Sequence, residues 1–174
     1  IYFSALIEMK KLNFTKSLEI LETLEDKYPD NLIIKTTIAE VYTESGNVRK
    51  SKDYTNSLLE VSLGNYPLSY NLANAYIIEE DYIAAEQILE DIKFYRPVDI
   101  HLLKDLSTVQ KNSNNMLGYH LTNSEFLFYS GRYEEALRDL EEARRIARNN
   151  FKIREIITER ILILQTYVFP QRRS

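Results

Sequence analysis

One set of spacings recurs along this chain and constrains its fold more than any other feature. The segment from Ser130 to Ala143, SGRYEEALRDLEEA, places an aromatic residue two positions after a glycine, then an alanine three positions further and a leucine four further. The same offsets recur in segments that begin at Leu12, Gly46 and Glu80. These three starting points are 34 residues apart, and a fixed period of this length indicates an array of similar helical hairpins.

Each anchor of the repeat has a physical reason. Glycine at positions 46 and 131 permits the backbone angles that reverse the chain between two helices. Small residues recur where two helices cross closely, because a larger side chain there would push the helices apart. These small residues are Ala39, Ala73, Ala85 and Ala136. Pro29 and Pro97 are predicted to end one helix and precede the next.

The pattern predicts ten helices. Their ranges are 1–11, 14–28, 31–45, 48–63, 67–79, 82–95, 99–112, 116–130, 133–148 and 151–168. The chain has 174 residues with only four glycines and four prolines, which favours helices joined by short turns. The helix at 116–130 follows an NSNN turn, and it is predicted to pair with the helices on both sides.

Repeats of about 34 residues with these anchors are the tetratricopeptide signature. The predicted fold class is an all-α, right-handed tetratricopeptide-repeat solenoid of about ten antiparallel helices. Residues 1–174 are predicted to form one array, because no linker interrupts the pattern. The array is also predicted to be a fragment of a longer chain. The helix at 151–168 is predicted to cap it. The apolar residues predicted on the inner side of this cap are Ile153, Ile156, Ile157, Ile161 and Leu164.

The first helix of each pair in such an array lines a concave groove, and arrays of this kind usually bind a protein or peptide. Four positions of each first helix are predicted to point into this groove. The candidate partner-binding residues are Thr36, Glu40, Tyr70, Asn71, Asn74, Ile77, His101, Lys104 and Thr108. Asn74 and Lys104 could hold a peptide carboxylate or backbone by charge-assisted hydrogen bonds. The carboxylate clamp of chaperone-binding tetratricopeptide domains needs more Lys and Asn than this chain provides.

Signatures of catalysis and of metal binding are missing from the sequence. The chain has no cysteine and no HExxH, and its two histidines, His101 and His120, are predicted to lie on different helices. His120 is predicted to be a packed histidine satisfied by a hydrogen bond, and His101 a surface or groove residue. Neighbouring carboxylates are predicted to form solvated helix faces. No enzymatic activity, no cofactor and no metal are therefore predicted for this chain.

The charge pattern restricts the partners further. The net charge is −4, and the densest positive set is Arg144, Arg145, Arg148, Lys152 and Arg154. A helix C-terminus favours such cations through its dipole, and we expect no nucleic-acid binding because interleaved stacking aromatics are missing nearby. No apolar run approaches the length of a membrane span.

The second half of the chain resembles a particular family. The segment at 67–168, with SEFLFYSGRYEEAL after His120, then DLEEARR and NNFKIREIITERI, looks like the C-terminal tetratricopeptide domain of BepA-like periplasmic zinc metalloproteases. The resemblance implies a substrate-recruiting or partner-recruiting domain without the HExxH peptidase domain, located in the periplasm. It also implies zinc in the parent protein, and outer-membrane assembly machinery or misfolded outer-membrane proteins as partners.

The sequence therefore leaves two alternative functions. The first is a protein-interaction domain of a periplasmic metalloprotease that acts in outer-membrane protein quality control. The alternative is a free-standing cytoplasmic tetratricopeptide adaptor or co-chaperone.

Overall fold

The computed structural model of the protein describes residues 1–168. In this range the chain forms ten α-helices and no β-strand. The helices are α1 (Tyr2–Lys10), α2 (Phe14–Lys27), α3 (Leu32–Glu44), α4 (Val48–Val61), α5 (Tyr66–Ile78), α6 (Tyr82–Tyr95), α7 (Ile100–Asn112), α8 (Met116–Tyr129), α9 (Tyr133–Ile146) and α10 (Phe151–Val168). A short 3-10 turn (Ala147–Asn149) joins α9 to α10. Each helix begins within one residue and ends within two residues of its predicted position, so the ten predicted ranges are confirmed.

The turn inside each hairpin has the same backbone conformation. The residues with positive φ at these turns are Leu12, Gly46, Glu80, Asn114 and Gly131, with φ between 60° and 79°. The amide after the turn residue then bonds back to the preceding helix, as the N–H of Asn13 does to the carbonyl of Glu8 at 2.9 Å. The predicted roles of Gly46 and Gly131 are confirmed. In the NSNN turn Asn114 replaces glycine, because asparagine tolerates left-handed angles better than most residues.

Asparagine and aspartate side chains cap the first helix of three successive pairs, those that begin with α3, α5 and α7. Asn31, Asn65 and Asp99 are 34 residues apart, and each side chain accepts hydrogen bonds from amides in the first turn of α3, α5 or α7. Asn150 accepts from the amide of Ile153 at 3.2 Å in α10. These caps satisfy donors that a helix start otherwise leaves unpaired.

The small residues of the repeat are buried as predicted. Ala39, Ala73, Ala85 and Ala136 are fully inaccessible to solvent. Where the position holds serine, its hydroxyl bonds across the hairpin. Ser17 donates to the carbonyl of Ala5 at 2.9 Å, and Ser51 donates to that of Ala39 at 3.1 Å. These bonds place α1 against α2 and α3 against α4 closely enough that a large side chain would not fit.

The chain divides into two compact units, Ile1–Ile88 and Leu89–Ser174, with the division inside α6. In unit 1 each of the helices α1 to α5 packs on its neighbour in sequence, and α3 also packs on α5. Its main apolar cluster consists of Ala5, Met9, Leu21, Leu24, Ile34, Ile38 and Val41. The single cooperative array predicted for residues 1–174 stays a prediction.

In unit 2, α8 packs against both α7 and α9, and α10 packs against α9. The predicted double role of the helix at 116–130 is therefore confirmed. The apolar cluster of this unit consists of Leu127, Ala136, Leu140, Ala143, Ala147, Ile157, Ile161 and Leu164.

One apolar residue of the predicted cap, Ile156, does not lie on the buried face of α10. Ile157, Ile161 and Leu164 of α10 are buried, but Ile156 is 46% exposed. Successive helical residues are turned by about 100°, so a stripe that buries Ile157 directs Ile156 toward the side of the helix. The prediction that Ile156 faces inward is wrong.

Candidate functional site

The predicted groove residues of unit 1 differ in their accessibility. Thr36 is buried, and its hydroxyl donates to the carbonyl of Leu32 at 2.8 Å within α3. Asn71 is also buried, with 4% of its surface exposed. The structure thus places two of the predicted binding residues where a partner cannot reach their side chains, because both are used inside the unit.

Asn71 is the centre of a buried hydrogen-bond network. Its amide nitrogen donates to the hydroxyls of Ser51 and Thr55, at 3.2 Å each, and its amide oxygen accepts from the hydroxyl of Thr43 at 3.1 Å. The hydroxyls of Thr43 and Ser51 are 2.5 Å apart. The network joins α3, α4 and α5, and it satisfies side chains that would be costly to bury without partners.

The other predicted residues of unit 1 are half-buried on α3 and α5. They are Glu40, Tyr70, Asn74 and Ile77. The ring of Tyr70 lies against that of Tyr66, with centroids 5.6 Å apart. Burial raises the pKa of Glu40, the charge of Glu44 raises it further, and Lys10 opposes both effects. Binding of a partner by these four residues stays a prediction.

Unit 2 carries the remaining three predicted residues, which lie together. His101, Lys104 and Thr108 are all exposed on one face of α7. The hydroxyl of Thr108 donates to the carbonyl of Lys104 at 3.0 Å. Lys104 is exposed, so its side chain is accessible to a partner. That role stays a prediction.

A cavity of about 250 Å³ in unit 2 lies between α8 and α10, with one residue of α9 in its wall. Its lining residues are Ser124, Glu125, Phe128, Tyr129, Leu140, Arg160, Ile163 and Leu164. Leu140 and Leu164 are nearly fully buried, whereas Ile163 is 55% exposed and Tyr129 41%. The cavity therefore has an apolar base and an accessible edge.

A three-residue ion cluster includes two of the lining residues. The carboxylate of Glu125 accepts from Arg160 at 2.9 Å on one oxygen, and Lys93 lies 2.9 Å from the other oxygen. Two cations share one anion, so the cluster has a formal charge of +1. The side chains of Glu125 and Lys93 are only 23% and 19% exposed. Solvent and salt therefore screen the attraction between their charges less than between fully exposed groups.

An aromatic cluster holds Phe128 in place at the cavity. Its ring centroid lies 5.3 Å from that of Tyr167 and 5.6 Å from that of Tyr133. The Tyr133 and Tyr167 rings are themselves 5.3 Å apart. Three mutually packed rings from α8, α9 and α10 limit the rotamers of Phe128, so this wall of the cavity is preformed.

The repeat pattern alone misses this cavity, because it predicts groove positions only on the helices at 31–45, 67–79 and 99–112. The helix at 116–130 is predicted to pair with the helices on both sides, and the pattern therefore places none of its residues in the groove. Glu125 stands 17 residues after Thr108, half a repeat along the chain. Applying the half-repeat shift to α8 would have identified Glu125 and Phe128.

The histidines lie where the sequence predicts. The Nδ1 atom of His120 is 2.8 Å from an Asp139 carboxylate oxygen, and the other oxygen accepts a hydrogen bond from Asn123. The prediction of a packed, hydrogen-bonded histidine is confirmed. Within residues 1–168 no group of three or more potential ligands is arranged to hold a metal ion, and no helix is long and apolar enough to cross a membrane.

Comparison with known proteins identifies the fold. No protein-family model and no curated protein matches the chain. MamA from Desulfovibrio magneticus RS-1 resembles it with a TM-score of 0.66 and 10% sequence identity, and the match covers 98% of this chain and 95% of MamA. A tetratricopeptide repeat protein from Parabacteroides merdae has a TM-score of 0.59 and 14% identity, with 94% of this chain and 69% of that protein covered. TTC0263, a thermophilic tetratricopeptide protein from Thermus thermophilus, has a TM-score of 0.55 and 15% identity, with 93% of this chain and 100% of that protein covered.

The likeness covers more than nine tenths of this chain in each case, and at such low identity it shows the fold alone. The predicted all-α tetratricopeptide-repeat solenoid is confirmed. The resemblance to BepA-like metalloproteases and the periplasmic location stay predictions.

Proposed function

We propose that the chain is a protein-interaction module that binds a peptide segment of a partner protein in the α8–α10 cavity. The observation that carries the proposal is a preformed apolar cavity between α8 and α10, with an ion cluster beside it. The cavity volume of about 250 Å³ suits one large apolar side chain. The tetratricopeptide fold supports a binding role, because such arrays present extended surfaces to other proteins.

The charges beside the cavity specify the partner further. The Lys93–Glu125–Arg160 cluster has one cation in excess, so its net charge of +1 attracts an acidic group of the peptide toward Arg160. The proposed ligand is therefore an aliphatic or aromatic anchor residue with an Asp or Glu next to it. Phe128, held by its neighbouring rings, provides a rigid contact for the anchor.

The experiment is selection of a random peptide library displayed on phage against the intact chain, followed by fluorescence anisotropy of the enriched peptide. We expect enriched peptides to share an apolar residue adjacent to an acidic one. Ile163→Asp should weaken their binding about tenfold or more, because it places a charge at the cavity edge. Leu162→Asp is the matched control, since Leu162 is also exposed on α10 but does not line the cavity.

Equal binding by wild type and Ile163→Asp would move the site elsewhere on the chain. Failure to enrich any peptide under conditions where the chain is folded would argue against a peptide-binding module. The circular dichroism spectrum of each variant establishes that the helices are retained.

The resemblance over residues 67–168 gives the proposal a finer form, which rests on that sequence likeness alone. In this form the chain recruits substrates or outer-membrane assembly machinery for a periplasmic zinc metalloprotease. The gene sequence upstream of the Ile1 codon tests it: an in-frame HExxH and a signal peptide would support it. A start codon a few residues ahead would instead favour the free-standing cytoplasmic adaptor.

A further inference from the structure

The connection between α9 and α10 concentrates positive charge. Residues 144–154, the basic connection, contain five of the 22 Lys and Arg residues of the chain and no acidic residue. Arg144, Arg145, Arg148 and Lys152 are exposed, and Arg154 is half-buried. Among residues 1–168, Arg145 is the member of this set that forms an ion pair, with Glu142. The connection is thus a positive patch on a chain whose net charge is −4.

Helix dipoles explain only part of this patch. Arg144 and Arg145 lie in the last turn of α9, where a helix terminus favours cations. Lys152 and Arg154 lie in the first turn of α10, where the dipole disfavours them, and no acidic residue of that turn compensates. Two cations therefore stand at a helix end that local electrostatics would fill with Asp or Glu.

Exposed apolar side chains accompany these cations. Phe151 is 69% exposed and Ile146 is 40% exposed, and they lie five residues apart at the same connection. The guanidinium carbon of Arg154 is 5.6 Å from the centroid of the Phe151 ring. An aromatic and an aliphatic side chain that project among cations match the composition of surfaces that bind the interface of a bilayer.

We propose that the basic connection binds the surface of a membrane that contains anionic phospholipid, with Phe151 and Ile146 entering the headgroup region. The cations, without acidic residues between them, suit a surface of uniform negative charge. A single-stranded nucleic acid would need successive rings along a groove, and Ile146 cannot stack on a base. A segment made of acidic residues alone would pair with the cations but would leave the two exposed apolar side chains in water.

The test is cosedimentation of the chain with large unilamellar vesicles at low ionic strength. We expect binding to phosphatidylcholine vesicles with about one third phosphatidylglycerol, and little binding to phosphatidylcholine alone. The Arg148→Gln, Lys152→Gln double variant should weaken binding about tenfold or more. Arg49→Gln, Lys50→Gln is the matched control, since both residues are exposed on α4 and the change in net charge is the same.

Phe151→Ser separates insertion from electrostatic attraction. We expect it to weaken vesicle binding severalfold, whereas Phe94→Ser, which changes a phenylalanine that is 80% exposed on α6, should have no effect. Equal vesicle binding by wild type and either basic-connection variant contradicts the proposal. So does failure of the wild type to bind anionic vesicles, or tighter binding to an oligothymidylate or a polyglutamate probe than to the vesicles.

Discussion

Two regions at equivalent places in the repeat have opposite chemistry. In unit 1 the four residues Thr43, Ser51, Thr55 and Asn71 form the buried polar network of α3, α4 and α5. In unit 2 the residues 85 positions later are Phe128, Ala136, Leu140 and Ile156. The same four places on the hairpins are thus polar in one unit and apolar in the other, although Asn71 is buried and its counterpart Ile156 is 46% exposed.

One helical framework therefore produces either a closed interior or a binding cavity, depending on whether these places are polar or apolar. In unit 1 directional hydrogen bonds draw three helices together, and α3 packs directly on α5. In unit 2 the corresponding Phe128 and Leu140 line a cavity between α8 and α10. Apolar side chains impose no fixed partner, so a ligand side chain can complete their packing. Substitutions at equivalent places in the two units test this contrast.

The largest effect is expected at the small position that both units share. Ala136 is fully buried, and Ala136→Glu should lower the free energy of unfolding by about 3–5 kcal/mol by burying an unpaired charge. Ala136→Ser is the control, because unit 1 holds Ser51 at this place and its hydroxyl bonds to a carbonyl 12 residues earlier. The serine variant should change stability by less than about 1 kcal/mol. Urea unfolding measures both, and equal stability of the glutamate variant and wild type would refute the close crossing.

The polar network of unit 1 should be the next most sensitive place. Asn71→Leu removes the partner of three buried hydroxyls, and we expect a loss of about 2–4 kcal/mol in urea unfolding. Asn74→Leu, a half-buried change on the same helix, should cost much less. A fourfold variant that also carries Thr43→Val, Ser51→Ala and Thr55→Val should recover most of the loss, since no polar group is then left unpaired. A fourfold variant as unstable as Asn71→Leu would show that volume, not polarity, decides this site.

The fold was predictable because its signals are local and repeated. The spacing of turn residues, small residues and helix-ending prolines places most of the helices, and each of those signals rests on backbone sterics. Leu12 and Glu80 show where composition would mislead: both take the left-handed conformation without being glycine. Their position in the repeat predicts the turn, and the helices on either side impose it.

The candidate site was less predictable, because position in a repeat does not determine what a side chain contacts. Asn71 stands next to groove positions in the sequence, yet its side-chain amide forms hydrogen bonds with residues 16 to 28 positions away. Phe128 gains its role from rings of two other helices. Such contacts depend on the relative rotation of packed helices, which a periodicity of apolar residues leaves undetermined.

A second pair of equivalent residues sharpens the contrast between the units. Glu40 in α3 and Glu125 in α8 are also 85 positions apart. Glu125 accepts a hydrogen bond from Arg160 and forms a salt bridge with Lys93. Glu40 is partly desolvated beside Glu44, and both effects raise its pKa above the ordinary value of 4.5. One acidic position thus supports an ion cluster in unit 2, whereas in unit 1 it carries an electrostatic cost.

The smallest expected effect follows from this pair. Because folding raises the pKa of Glu40, the folded chain binds the proton more tightly, and stability falls as pH rises from 4.5 through the raised value. Glu40→Gln should therefore raise the melting temperature at pH 7, and the gain should vanish near pH 3, where the carboxyl is protonated in both states. Glu125→Gln should instead lower stability at pH 7, by up to about 1 kcal/mol, because Lys93 and Arg160 lose their anion. Thermal unfolding at the two pH values distinguishes the cases: a Glu40→Gln gain of equal size at both would mean that shape, and not desolvated charge, sets the cost at this position.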